Sequence, residues 1–93
     1  MPEIRGNNAF AHYAANAANT VRTGPGMLHA VSINTKGATG NTLTIAVDGA
    51  TLAIIDTTAG PSFYLYDVEF LSSLVATLAT GTAADVTISY APM

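Results

Sequence analysis

This sequence predicts an all-β fold, an antiparallel β-sandwich, and three observations carry that expectation. From about residue 18 onward, β-prone runs are separated by turn-forming clusters at intervals of roughly eight to twelve residues. Those clusters, Thr23-Gly24-Pro25-Gly26, Lys36-Gly37-Ala38-Thr39-Gly40-Asn41, Asp48-Gly49, Thr58-Ala59-Gly60-Pro61 and Thr80-Gly81-Thr82, hold the residues that supply positive φ angles or fixed turns. The runs between them amount to six or seven short strands. Strands that are apolar on one side bury that side by stacking two sheets, with jelly-roll topology as one form this could take.

Residues 1–17 read as an N-terminal arm, and residues 18–93 as the sandwich domain. The arm is rich in alanine, with Phe10, His12 and Tyr13 among Asn7, Asn8, Asn16 and Asn19. Two large apolar residues are too few to dock an amphipathic helix, so the expectation is an extended segment lying on a neighbouring subunit, or a frayed, partly helical one.

Asp48-Gly49 is the clearest local signal, a two-residue hairpin turn whose positive φ angles match strand twist. With Val47 opposite Ala50, simple alternation sets Ile45 opposite Leu52 and Leu43 opposite Ile54. All six side chains then share one apolar face, with Ala46, Thr51, Thr44 and Ala53 on the other. In the preceding strand Met27, Val31 and Ile33 are expected inward, interrupted by His29, with Leu28 and Ala30 on the opposite face. The run from 63 to 71 places Tyr64, Tyr66, Val68 and Phe70 on one side and Phe63, Leu65, Asp67, Glu69 and Leu71 on the other. Residues 74–79 and 85–90 complete the count, the last grouping Val86, Ile88 and Tyr90 against Asp85, Thr87 and Ser89.

Composition bounds the function. The chain has 93 residues, 49% of them hydrophobic and only 10% charged, against about 25% charged in ordinary domains. Its exterior must be covered by uncharged Thr, Ser, Asn, Gly and Ala, which suits contact with other subunits without desolvating ions. Three Lys and Arg against six Asp and Glu, a net charge of −3, cannot neutralise a row of phosphates, so nucleic acid is not an expected partner. Met1-Pro2-Glu3-Ile4-Arg5-Gly6 lacks the layout of a signal peptide and no apolar run approaches a membrane span, so no membrane partner is expected. Without cysteine, stability rests on packing.

No constellation for catalysis emerges. His12 and His29 stand apart, without metal-ligand spacing. Asp67 and Glu69 project from one strand face, as acids on a solvated surface commonly do, and the chain lacks the Trp that would grip a sugar between paired carboxylates. Asp48, Asp56, Asp67, Glu69 and Asp85 lack the spacing of a calcium loop. Gly24-Pro25-Gly26 misses the third glycine of a dinucleotide fingerprint, and Pro25 has no amide to donate. The serines have no strand-turn-helix elbow. The expectation is a protein that is not an enzyme, with no catalytic, cofactor-binding or metal-binding residues and no cofactor.

The run Val21-Arg22-Thr23-Gly24-Pro25-Gly26-Met27-Leu28-His29, then Val31-Ser32-Ile33-Asn34-Thr35 and a Gly/Thr loop, resembles small β-sandwich virion proteins of tailed bacteriophages. The Asp48-Gly49 turn, Ile54-Ile55-Asp56 and Ala83-Ala84-Asp85-Val86-Thr87-Ile88-Ser89-Tyr90 share the likeness, which covers roughly residues 20–90. The resemblance implies a capsid decoration or cement protein. It would be a homo-oligomer, with a trimer favoured, whose partner is the major capsid protein, made in the host cytoplasm and located on the capsid surface of the virion. The alternative is a carbohydrate- or receptor-binding module of a tail or fibre. Interface candidates are Phe10, Tyr13, Tyr64, Tyr66 and Phe70, the last three of which would serve equally well as core.

Overall fold

A computed structural model describes residues 9–93. They form eight strands: β1 (Ala9–Tyr13), β2 (Ala17–Thr23), β3 (Gly26–Thr35), β4 (Thr42–Val47), β5 (Ala50–Asp56), β6 (Ser62–Phe70), β7 (Ser73–Ala79) and β8 (Asp85–Pro92). A single 3₁₀ turn, Thr57–Ala59, is capped at its start by the Asp56 carboxylate, which accepts from the Thr58 N–H at 2.9 Å. The strands make two antiparallel four-stranded sheets, a front sheet in the order β1-β8-β3-β6 and a back sheet in the order β2-β7-β4-β5. Pairs β4:β5, β3:β6, β2:β7 and β1:β8 are nested as though one long hairpin had been wound into a sandwich. That is jelly-roll connectivity, two Greek keys shared between two sheets.

The core is the layer between the sheets. Leu28, Val31, Ile33, Phe70, Val86 and Ile88 from the front sheet meet Leu43, Ile45, Ile55, Leu74, Ala76 and Leu78 from the back, all buried. Tyr13, Val21, Val47, Tyr64, Tyr66 and Tyr90 seal its margins. The alternation expected for β6 and β8 holds: Tyr64, Tyr66 and Val68 are half-buried and Phe70 fully buried, and Val86 and Ile88 point inward between Asp85, Thr87 and Ser89.

Several expectations are corrected. Residues 9–17, expected in a separate arm, belong to the chain's own sandwich: β1 pairs with β8 from Ala9↔Tyr90 to Tyr13↔Val86, and Ala17 opens β2 against Leu78. No helical turn lies among them; residues 1–8 of the expected arm lie outside the described residues. Pairing with β8 gives Ala11 and Tyr13 an inward face, so a few apolar side chains suffice for an edge strand where they would not dock a helix.

The hairpin turn forms as expected, with φ of 52° at Asp48 and 82° at Gly49, and Val47↔Ala50 and Ala46↔Thr51 follow. Beyond them a β-bulge at Leu52 shifts the register, giving Ile45↔Ala53, Thr44↔Ile54 and Leu43↔Ile55. One extra residue reverses the parity of the strand. Ile55 is therefore buried at 5% exposure while Ile54 stands 68% exposed, and Leu52 is exposed too, so the shared apolar face predicted for 43–47 and 50–54 is only half realised. A second bulge, at His29, does the same to β3: Val31 and Ile33 point inward as expected, but Leu28 replaces Met27 in the core.

Candidate functional site

The two outer faces differ. On the back sheet, register aligns Thr20, Val75, Ala46 and Thr51 in one row and Ala18, Thr77, Thr44 and Ile54 in the next. Asp56 ends β5 of this sheet, and its carboxyl is held below the usual carboxylate range by the Thr58 hydroxyl and then the Thr58 N–H.

The front sheet carries the chemistry. One row across its four strands is Phe10, Ser89, Ala30 and Leu65, and the neighbouring row is His12, Thr87, Ser32 and Phe63. In each row the large side chains stand on edge strands β1 and β6, and small ones lie between them on β8 and β3. Phe10, Phe63 and Leu65 are 73%, 66% and 60% exposed, whereas Ala30, outside the core cluster, is covered. The face is a shallow trough with rims about 14 Å apart, three strand spacings.

A polar network lies at one end of this trough. His12 Nε2 bonds Asp85 Oδ1 at 2.7 Å, Asn34 Nδ2 donates to Asp85 Oδ1 and to Thr87 Oγ1 at 2.9 Å each, and the Ser32 hydroxyl donates to Asn34 Oδ1 at 2.9 Å. The Asn34 amide, and then His12, hold the Asp85 carboxyl below its ordinary range. Towards the other end His29 Nδ1 bonds Asp67 Oδ1 at 2.8 Å. Asp67 adopts φ of 52°, tolerable for Asp, in the stretch where β6 carries an extra residue opposite His29. Ser32 donates to an amide, so the network presents dipoles and carboxylates to a ligand, with no hydroxyl activated by a histidine. Among the described residues no three His, Cys, Asp or Glu side chains gather as a metal site, and no helix is long and apolar enough to cross a membrane.

Two other polar clusters are structural. Asp48, at the tip of the β4–β5 hairpin, accepts from the N–H groups of Leu71, Ser72 and Ser73 and from the Ser72 hydroxyl, at 2.7 to 3.2 Å. The Ser72 and Leu71 amides lead in lowering its carboxyl to about 2. At the opposite end of the sandwich Asn41 is fully buried. Its amide donates to Asn16 Oδ1, Ala79 O and Thr80 O, and its oxygen accepts from Thr57 Oγ1 at 2.6 Å and the Ala84 N–H at 3.1 Å. Gly37 packs so closely here that a Cβ would lie 2.6 Å from Thr57 Oγ1. Thr39-Gly40 and Thr80-Gly81 turn with positive φ beside this hub, and Ala38 bridges Thr82.

Of the interface candidates read from the sequence, Phe10 is on the exposed rim. Tyr13, Tyr64 and Tyr66 are half-buried against the core, and Phe70 is fully enclosed, so these four are core or core margin and not free anchors. Burial raises the Tyr13 and Tyr66 hydroxyls, with the Tyr90 and Tyr64 hydroxyls adding to the effect. Missed were Phe63 and Leu65. A strand apolar on both sides can bury only one set, and that signal was available in the run 63–71. Asn34 carried no sequence signal beyond its place in a strand. The chain matches no family model, no curated protein and no solved structure.

Proposed function

We propose that this chain is a structural virion protein, a capsid decoration or cement protein of a tailed bacteriophage that oligomerises, with a trimer favoured, and clamps subunits of the major capsid protein. The observation that carries the reading is a jelly roll that exposes large apolar side chains on edge strands, Phe10, Phe63, Leu65 and Ile54, with Leu71 exposed in the turn between β6 and β7. Monomers rarely leave such groups uncovered in patches, and jelly rolls serve in capsid and lectin domains alike. The sequence likeness over residues 20–90 favours the capsid. Function does not follow from fold alone; support comes from likeness, surface and the low charge taken together. Each copy needs only modest affinity, because a symmetric shell engages many copies at once.

A second reading, a carbohydrate- or receptor-binding module of a tail, is favoured by one feature. Phe10 and Phe63 flank the His12–Asp85–Asn34–Thr87 network, the combination of ring and polar groups that sugars use. Quantitative protein gels of purified particles separate the two. Decoration requires copy numbers commensurate with the major capsid protein; a tail module would be present at a small fraction of that. Absence from the particle refutes both.

A further inference from the structure

We infer that the docking face is the outer surface of the front sheet, and that its occupant is a basic, apolar segment of a different protein, not a second copy of this chain. The inference rests on the decoration reading and names the surface and partner chemistry that reading leaves open. Three observations carry it.

The trough between Phe10 on one rim and Phe63 and Leu65 on the other is floored by Ala30, Ser32, Thr87 and Ser89. Its width of about 14 Å admits an α-helix of about 10–12 Å diameter or a pair of strands. Four strands of about seven residues project roughly 19 Å by 24 Å, about 450 Å², over half of the roughly 800 Å² per partner of a stable interface, so an occupant engages the whole face and its rims.

Charge decides the occupant. Asp67, Glu69 and Asp85 lie on this face, and the cations of the described residues, Arg22 and Lys36, lie on β2 of the back sheet and in the loop after β3. Two such faces stacked about a two-fold axis would bring both sets of carboxylates together with neither Lys nor Arg of the described residues between them, an arrangement that disfavours self-association. The back face of another copy, Thr- and Ala-rich, would desolvate the same carboxylates without pairing them. A partner that offers Lys or Arg beside apolar side chains satisfies both halves of the surface. His12 and His29 already occupy one oxygen each of Asp85 and Asp67, whereas among the described residues no side chain bonds the exposed Glu69 carboxylate.

The test uses particles stripped of the chain, rebound with recombinant full-length protein and sedimented. Phe63→Ser with Leu65→Ser, and separately Glu69→Lys with Asp67→Asn, should each weaken binding by about tenfold or more, and the charge pair should also flatten the salt dependence. Asn is chosen at 67 because it tolerates the positive φ there. All altered groups are exposed, so unchanged thermal melts certify folding. Thr44→Lys with Thr77→Lys on the back face should bind as the parent does. Parent protein that binds while both front-face variants match it within about twofold overturns the inference and leaves the decoration reading standing. So does a front-face variant that dissolves a homo-oligomer in sedimentation velocity, which would place a second copy in the trough. Failure of the parent protein to bind overturns the decoration reading and the inference with it.

Discussion

Asn41→Asp is an isosteric change that should unravel one end of the sandwich. The Asn41 amide is fully buried and donates to Asn16, Ala79 O and Thr80 O, tying the β1–β2 turn and the β7–β8 loop to the start of β4. A carboxylate keeps the two bonds accepted from Thr57 and Ala84 but turns the three donor contacts into oxygen facing oxygen. Leaving such buried groups unpaired costs about 1–3 kcal/mol each and not additively, so a loss of roughly 3–5 kcal/mol is expected at neutral pH. A chain of this length has about 5–14 kcal/mol in total. Burial raises the new carboxyl above its unfolded value, so protons bind the folded state more tightly. The deficit is therefore greatest at neutral pH and shrinks as pH falls towards about 4. Asn41→Ala should be comparably damaging at every pH, and Thr57→Val should cost only about 1 kcal/mol. Urea unfolding followed by far-ultraviolet circular dichroism at pH 7 and pH 5 measures all three. An Asn41→Asp protein within about 0.5 kcal/mol of the parent, or a deficit that does not narrow on acidification, refutes the hub.

Further outcomes follow from the same contacts. Ile55→Ala should cost about 2–4 kcal/mol in denaturant unfolding, while Ile54→Ala stays within about 0.5 kcal/mol; the reverse order would put the β5 bulge in the wrong place. Asp48 has its carboxyl lowered from 3.8 to about 2 in the folded state, so its contribution is full above pH about 4 and is lost as pH falls towards about 2. Asp48→Asn should be less stable at neutral pH and lose less stability over that acid range, with a residual slope from Asp56 and Asp85, which shift in the same direction. Deleting residues 1–13 removes β1 and exposes the β8 edge; a lower melting temperature and concentration-dependent association should result, and an unchanged melt would show that β1 adds nothing to the sandwich.

Sequence patterning made the turns and most strands legible because both depend on local chemistry. Asp48-Gly49 states its own backbone angles, and the alternation of Tyr64, Tyr66, Val68 and Phe70 states a face. The bulges were not legible: nothing local distinguishes Leu52 as the residue that is skipped, yet it decides that Ile55 and not Ile54 reaches the core. Likewise His29 reverses β3, and the Ala- and Asn-rich stretch around Phe10 becomes a strand only because β8 offers an edge. Strand order depends on which edges meet, which alternation leaves open. The candidate site inherited these gaps. The pattern of residues 63–71 separates two apolar sets, and only the sheet they stack on determines that Phe63 and Leu65 are outside. Asn41 sits among turn formers in the sequence, and its role exists only where four loops converge on it.

The account depends most on the closure of the jelly roll, in which the first described strand lies beside the last. Backbone NMR of the isolated protein tests it through cross-strand contacts. The structure requires nuclear Overhauser effects linking Phe10 with Ser89 and Tyr13 with Val86, together with Val31 to Ile88 on the other side of β8. Finding β8 paired with β3 alone, or residues 9–13 in a helix, would contradict the closure and with it the trough whose rim Phe10 provides.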